Sequence, residues 1–130
     1  MSSRATGTFE VKLNPLSSDV TPDEPHLGRM SIDKQFSGEL EGTSVGQMLT
    51  AMTDVKGSAG YVALEKVTGS LQGKKGSFVL QHNGSMGGGE ECLSITVVPD
   101  SGTDELTGLS GTMTINRGEA GHSYEFEYAL

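Results

Sequence analysis

The stretch Gly60-Tyr61-Val62-Ala63-Leu64-Glu65-Lys66-Val67-Thr68-Gly69-Ser70-Leu71-Gln72-Gly73-Lys74-Lys75-Gly76-Ser77-Phe78-Val79-Leu80-Gln81-His82 reads as two alternating strands joined by a tight turn. With Gly73-Lys74 as the central turn residues, counting outward pairs Leu71 with Gly76, Gly69 with Phe78, Val67 with Leu80 and Glu65 with His82. Cross-strand partners share a face, so Tyr61, Ala63, Glu65, Val67, Gly69, Leu71, Phe78, Leu80 and His82 stand together. That face is a core face interrupted by one acid and one imidazole. The opposite face, from Val62 to Gln81, is more polar towards the turn. Phe78 is expected over Gly69, filling the space a strand glycine leaves, and a slip of one residue would reverse every assignment.

Working outward, residues 6–16 alternate Phe9, Val11 and Leu13 against Thr8, Glu10 and Lys12, a half-buried strand ended by Asn14-Pro15. Residues 17–27, with Pro22, Pro25 and several acids, lack periodicity and read as an exposed loop in which His26 is simply solvated. Residues 28–41 place Ile32, Lys34, Phe36, Gly38 and Leu40 on one face, where the lysine is the anomaly. Residues 43–55 read as a third strand, although Val45, Met48, Leu49 and Met52 also fit a helical spacing over 44–53; the pattern leaves the inward face open. Residues 84–91, with Gly87-Gly88-Gly89, read as a flexible loop. Strands follow over 90–98, with Leu93, Ile95 and Val97 on one side, and over 106–116. The last strand, 122–128, alternates His122, Tyr124, Phe126 and Tyr128 with Ser123, Glu125 and Glu127.

Eight strand-like segments joined by short turns, with no convincing long helix, predict an all-β, closed eight-stranded antiparallel meander barrel in one domain over 1–130. Such a barrel can be filled by side chains or can hold one small ligand, as the lipocalin cup does. A two-sheet sandwich with a dry core is the competing architecture.

Composition excludes several functions. The formal charge of −8 and nine scattered Lys and Arg argue against a nucleic-acid surface. One cysteine, Cys92, rules out an intrachain disulfide, and its apolar surroundings predict a buried thiol. No apolar h-region opens the chain and no membrane span follows, so a cytoplasmic protein with no membrane partner is expected. The glycine run lacks the Lys-Ser/Thr of a phosphate loop and the helix of a dinucleotide site, so no cofactor is expected. Ser101-Gly102 lacks the strand-to-helix context of a nucleophile elbow. The close His-x-His spacing of cupin-like metal barrels is also missing, so no metal is expected.

The runs Gly60 to Glu65, Gly69-x-Leu71-x-Gly73, Gly76 to His82, Val97-Val98-Pro99-x-Ser101-Gly102-Thr103 and Leu106-x-Gly108-Leu109-x-Gly111 together resemble a small bacterial family of unknown function. Its fold is grouped with the allene oxide cyclase barrel. The resemblance runs from Lys34-x-Phe36-x-Gly38 to the C-terminus and implies an eight-stranded closed barrel and a homo-oligomer. It does not carry over cyclase activity, because the plant enzyme's pocket residues find no matching positions here.

Closure would bring Glu65, His82 and Lys34 towards one lumen, with Gln47, His122 and Tyr124 as further inward candidates. Burying such charges is costly unless they satisfy one another or await a ligand. On the functional reading Glu65 and His82 are catalytic acid and base, while Lys34, Phe36, Gln47, Tyr61, Phe78 and Tyr124 line a ligand site. On the bland reading the same polar groups fix strand register, Lys34 snorkels to the barrel mouth, His122 is a rim residue, Tyr124 is core, and Met48, Met52 and Met113 are core filler. Three functions stay open: a barrel binding a small, partly apolar molecule, ranked first; a cyclase or isomerase using Glu65 and His82; and an oligomeric interaction protein with a filled lumen.

Overall fold

The structure, a computed structural model, describes residues 2–16, 26–118 and 121–130. Eight strands follow in chain order: β1 Ser3–Leu16, β2 Leu27–Gly38, β3 Leu40–Met52, β4 Ala59–Leu71, β5 Lys74–Gly87, β6 Glu90–Val97, β7 Ser110–Gly118 and β8 Gly121–Ala129. Each pairs antiparallel with the next, β6 and β7 at the one position Thr96–Thr112, and β8 pairs back onto β1, so the barrel is closed. The expected fold is present and the sandwich is not. The loop expected over 17–27 lies outside the described residues for 17–25; Leu27 already belongs to β2. His26 is not merely solvated, since its Nε2 lies 2.9 Å from Asp54 Oδ1.

The decisive hairpin forms with a different turn. Gln72 and Gly73 are the central residues, at φ 47° and 90°, the left-handed pair that matches the twist of a hairpin. Glycine adopts that conformation freely; Gln72 is held there by its Nε2 donating to Glu39 Oε2 at 2.8 Å and to the Arg4 carbonyl at 3.2 Å. Its Oε1 accepts from the Tyr128 hydroxyl. Leu71 therefore faces Lys74, Val67 faces Phe78, Glu65 faces Leu80 and Ala63 faces His82. Each partner has moved by two residues, which preserves the face of every side chain. The segment 84–91 is likewise not a loop: β5 continues to Gly87, and Gly88-Gly89, at φ 60° and 81°, make the turn into β6.

Alternation sends Phe36, Val67, Phe78, Leu80, Tyr124 and Phe126 into one half of the barrel, where each is at most 1% exposed. Phe78 stacks on Phe126 with centroids 5.7 Å apart, and Phe36 meets Tyr124 edge to face at 5.6 Å. Segment 98–109 closes this end. It was expected to enter the seventh strand at Leu106, but Asp104–Leu106 form a single 3-10 turn and β7 starts at Ser110. Leu106 and Leu109 plug the barrel from there. Along β5 the hydroxyls of Thr103 and Ser101 accept from the Ser77 and Val79 amides, at 3.0 Å each, in place of strand carbonyls.

Room for the aromatic rings comes from a row of register partners, Phe36, Gly42, Gly69 and Gly76, across β2 to β5. The backbones approach so closely that a Cβ on Gly69 would lie 2.2 Å from the Glu41 carbonyl oxygen and 2.7 Å from Gly42 Cα. The Gly69→Ala variant is expected to lose about 1–3 kcal/mol through this overpacking. Urea unfolding checks it: the midpoint should fall with the slope unchanged.

Candidate functional site

The filled half ends at a polar layer across the middle of the barrel. β4 supplies Tyr61 and Glu65, β5 His82, β2 Lys34 and β3 Ser44. His82 stands opposite Ala63, so on β4 it is flanked diagonally by Tyr61 and Glu65. Both ring nitrogens are engaged as a result. Nε2 lies 2.8 Å from Glu65 Oε2, and Nδ1 lies 3.1 Å from the Tyr61 hydroxyl. A carboxylate only accepts, so Nε2 carries the proton, and in the neutral ring Nδ1 accepts from the Tyr61 O–H. Gly84 faces Tyr61, and a Cβ there would sit 2.5 Å from the Tyr61 ring. The glycine is what lets the ring lie across.

Lys34 comes from two strands away. It faces Ser44 on β3, while Gly46 faces Glu65; with no side chain at Gly46, the lysine reaches across to donate to Glu65 Oε2 at 2.9 Å. Ser44 donates to Oε1 at 3.2 Å. The ammonium also lies 5.0 Å above the Phe9 ring and 5.8 Å above that of Phe36. Lys34 does not snorkel to the mouth; it is buried and pinned. Glu65 is 1% exposed. Burial pushes its carboxyl up, but the His82 hydrogen bond and the Lys34 ammonium together outweigh this and hold it below the usual carboxylate range. Tyr61 moves the other way. Burial raises its hydroxyl, Arg117 partly offsets this, and the charges of Glu65 and Glu91 add to the rise, so the phenol stays protonated.

Above this layer the barrel is open. A cup of about 410 Å³ has Lys34, Tyr61 and His82 among its lining residues, and Val11, Leu13, Ile32 and Ile115 in its apolar wall. Met30, Met48, Met52 and Met86 bring adaptable thioethers to it, and Glu91, Arg117 and His122 bring charge and polarity. Glu65 and Ser44 do not line the cup. They lie beneath its floor, and both carboxylate oxygens are already engaged.

Of the residues expected to bind a ligand, the structure brings Lys34 and Tyr61 to the cup beside His82. Phe36, Phe78 and Tyr124 point inward but belong to the filled half; the Tyr124 hydroxyl meets the Leu40 amide and the Ser37 carbonyl at 2.9 and 3.0 Å. Gln47 is a correction: it lies on the exposed outer face, because β3 turns Gly42, Ser44, Gly46, Met48 and Thr50 inward. Met48 and Met52 line the cup; of the three methionines expected in the core, only Met113 is there. Cys92 is exposed rather than buried and reaches the cup lining. Sequence reasoning passed over Ser44, Phe9, Arg117 and the methionine lining. The signal for Ser44 was the Gly42 and Gly46 spacing that marks the inward face of β3. Among the described residues no three His, Cys, Asp or Glu side chains converge as a metal site would require.

Glu65→Gln removes the charge that compensates Lys34 and should cost about 3–5 kcal/mol at neutral pH, as expected for breaking a buried pair. The folded carboxyl is held low, so its contribution is complete above the unfolded carboxylate range and is lost as pH falls through the folded value. Urea melts across that window should show the gap between parent and variant closing on acidification.

A family model described as a protein of unknown function, DUF3224, matches residues 5–128. The chain is similar to the crystal structure of a protein with unknown function from the DUF3224 family, from Shewanella oneidensis MR-1. The two are 53% identical with a TM-score of 0.94, and the match covers 100% of this chain and 98% of that one. No curated protein matches. A match over nearly every residue, and a solved relative with the same barrel, place this chain in the DUF3224 family.

Proposed function

We propose that the cup binds a small, largely apolar molecule bearing a carbonyl oxygen, which sits on the polar floor. One observation carries this reading: a cavity of about 410 Å³ with apolar walls has Lys34, Tyr61 and His82 as its deep polar groups. An ammonium has three N–H donors, and Glu65 engages one of those on Lys34. The Lys34 and Glu65 charges cancel, which favours a neutral oxygen over a carboxylate. The overall charge of −8 also disfavours approach of an anion. The four methionines of the lining suit a ligand whose apolar body varies in shape.

A homo-oligomer belongs to the same proposal. The outer faces of β3 and β4 expose Val45, Leu49, Val62 and Leu64, each more than half accessible, and Leu49 and Val62 are register partners. Val45 lies in a row between Asp33 and Lys66. A second copy related by a two-fold axis would cover the apolar patch and could match acid to base. Elsewhere the outer surface carries Glu10, Lys12, Glu125 and Glu127, which is the reverse of the apolar band a membrane barrel presents. No helix among the described residues is long and apolar enough to cross a membrane. A reducing cytoplasm would keep the exposed Cys92 thiol free.

Two measurements test these readings. A medium-chain methyl ketone should raise the Tm of the parent more than the alkane of equal length does. Saturation at about a hundred times Kd corresponds to about 2.7 kcal/mol. The Thr50→Trp variant, which fills the cup from β3, should abolish the shift; no shift in the parent sinks the binding reading. Separately, Leu64→Glu should lower the mass measured by sedimentation equilibrium while leaving Tm within a few degrees. A parent that sediments as a monomer removes the oligomer.

A further inference from the structure

We propose that the cup catalyses enolisation of the carbonyl compound it binds, with Tyr61 accepting the α-proton as its own proton passes to His82, and Lys34 holding the enolate oxygen. This rests on the carbonyl-binding reading above and adds a reaction to it.

The floor contains more than charge compensation needs. Ser44 and Lys34 already engage both oxygens of Glu65, one each. A purely structural ion pair would be complete at that point. Instead an imidazole adds a second bond to Oε2, and a phenol that lines the cup bonds to the far side of the imidazole. The partner of His82 on β6 is Ile95, so an apolar side chain is what the barrel uses at the neighbouring position of the same layer. The result is a directed chain: a phenol lining the cavity, an imidazole beneath it at 3.1 Å, and a carboxylate at depth, 2.8 Å further on.

Each group has one role that its position allows. Tyr61 lines the cup, its hydroxyl lies 3.1 Å from Nδ1, and against the neutral ring that hydroxyl is the donor. His82 can take that proton, because its other nitrogen is oriented by Glu65 and the resulting imidazolium faces a carboxylate. Glu65 is a positioning residue, since it does not reach the cavity. Lys34 shares Oε2 with His82, at 2.9 and 2.8 Å, which sets the cation within a ligand's width of the relay. Burial keeps Tyr61 a phenol, so it works in concert with His82 and not as a preformed phenolate.

The step balances without an oxidant or cofactor. The α C–H bond breaks and its electron pair becomes the C=C bond. The carbonyl π pair moves to oxygen beside the Lys34 ammonium. The substrate proton goes to the Tyr61 oxygen, and the Tyr61 proton goes to His82 Nδ1. Reversal returns a proton to the α-carbon, or to the γ-carbon of a β,γ-unsaturated ketone, which shifts the double bond.

The test needs no knowledge of the natural substrate. A medium-chain methyl ketone is incubated with catalytic amounts of protein in D₂O, and loss of its α-proton signal is followed by NMR. The same samples are scored for ketone-induced Tm shift. The parent should exchange the α-protons at least tenfold faster than buffer and than the filled-cup Thr50→Trp variant. With each variant's occupancy taken from its own Tm shift, exchange per bound ketone should be lost in Tyr61→Phe and lowered in His82→Gln. A ketone that shifts Tm but exchanges no faster than in buffer overturns the enolisation and leaves binding standing. Exchange that survives in Tyr61→Phe overturns the assigned relay. Absence of both shift and exchange overturns the binding reading and this one together.

Discussion

A buried carboxylate with donors on both of its oxygens is the constraint around which the barrel is arranged. Glu65 sits at mid-height with almost no exposure, and such a charge is tolerable only where ammonium, imidazole and hydroxyl converge on it. Those partners come from β2, β3 and β5, so satisfying one side chain fixes the relative heights of four strands. Gly46 belongs to this requirement as much as Lys34 does. A Cβ at Gly46 would lie 2.1 Å from the Leu64 carbonyl and 2.6 Å from Glu65 Cα, and the lysine's route to the acid passes over that empty position.

The polar layer also separates two halves with opposite characters. On one side Phe36, Phe78, Phe126 and Tyr124 fill the lumen, and Leu106 and Leu109 seal it. On the other, methionines and small residues such as Ala51, Ala59, Gly60 and Gly84 leave a cup open. A layer of satisfied charge between a dry plug and an open cavity has one side that no ligand reaches. The other side is open, and there Lys34, Tyr61 and His82 are the deep groups presented.

Much of the fold was legible because alternation reports which way a side chain points. The inward faces of β1, β2, β4, β6 and β8 follow from Phe9, Phe36, Val67, Ile95 and Phe126, and the meander from the short turns. Alternation is silent about height along the barrel axis, and this is where the site reading failed. Phe78 and Tyr124 point inward but lie on the sealed side, and nothing in a period of two distinguishes them from Tyr61. Gln47 was misplaced for another reason. The inward positions of β3 between Leu40 and Met48 are Gly42, Ser44 and Gly46, small residues that carry no hydrophobic signal, while its exposed positions include Val45 and Leu49. Such a strand looks inverted until its neighbours are known. The seal is made by segment 98–109, whose turn residues disguise Leu106 and Leu109 as part of the next strand.

The turn at Gln72-Gly73 shows how much chemistry can depend on register alone. Had Glu65 and His82 stood directly opposite, as the alternative turn requires, His82 would have lain beside Ala63 and Val67 on β4. At about 3.4 Å per residue, Tyr61 would then have been about four residues, some 14 Å, up the strand, beyond hydrogen-bond reach. The observed pairing sets His82 opposite Ala63, the smallest side chain on that face of β4 between Tyr61 and Glu65. Both neighbours then lie on diagonals that a tyrosine and a glutamate can span. The imidazole can bridge phenol and carboxylate only from this position. The same slip of two residues leaves the in-out pattern untouched, so packing of the apolar core does not choose between the two registers by face. Gln72 makes the choice at the sealed end, where Glu39, Arg4 and Tyr128 hold it in the turn. Contacts at the sealed end thereby set the geometry of the polar floor, where Glu65 lies seven residues from Gln72.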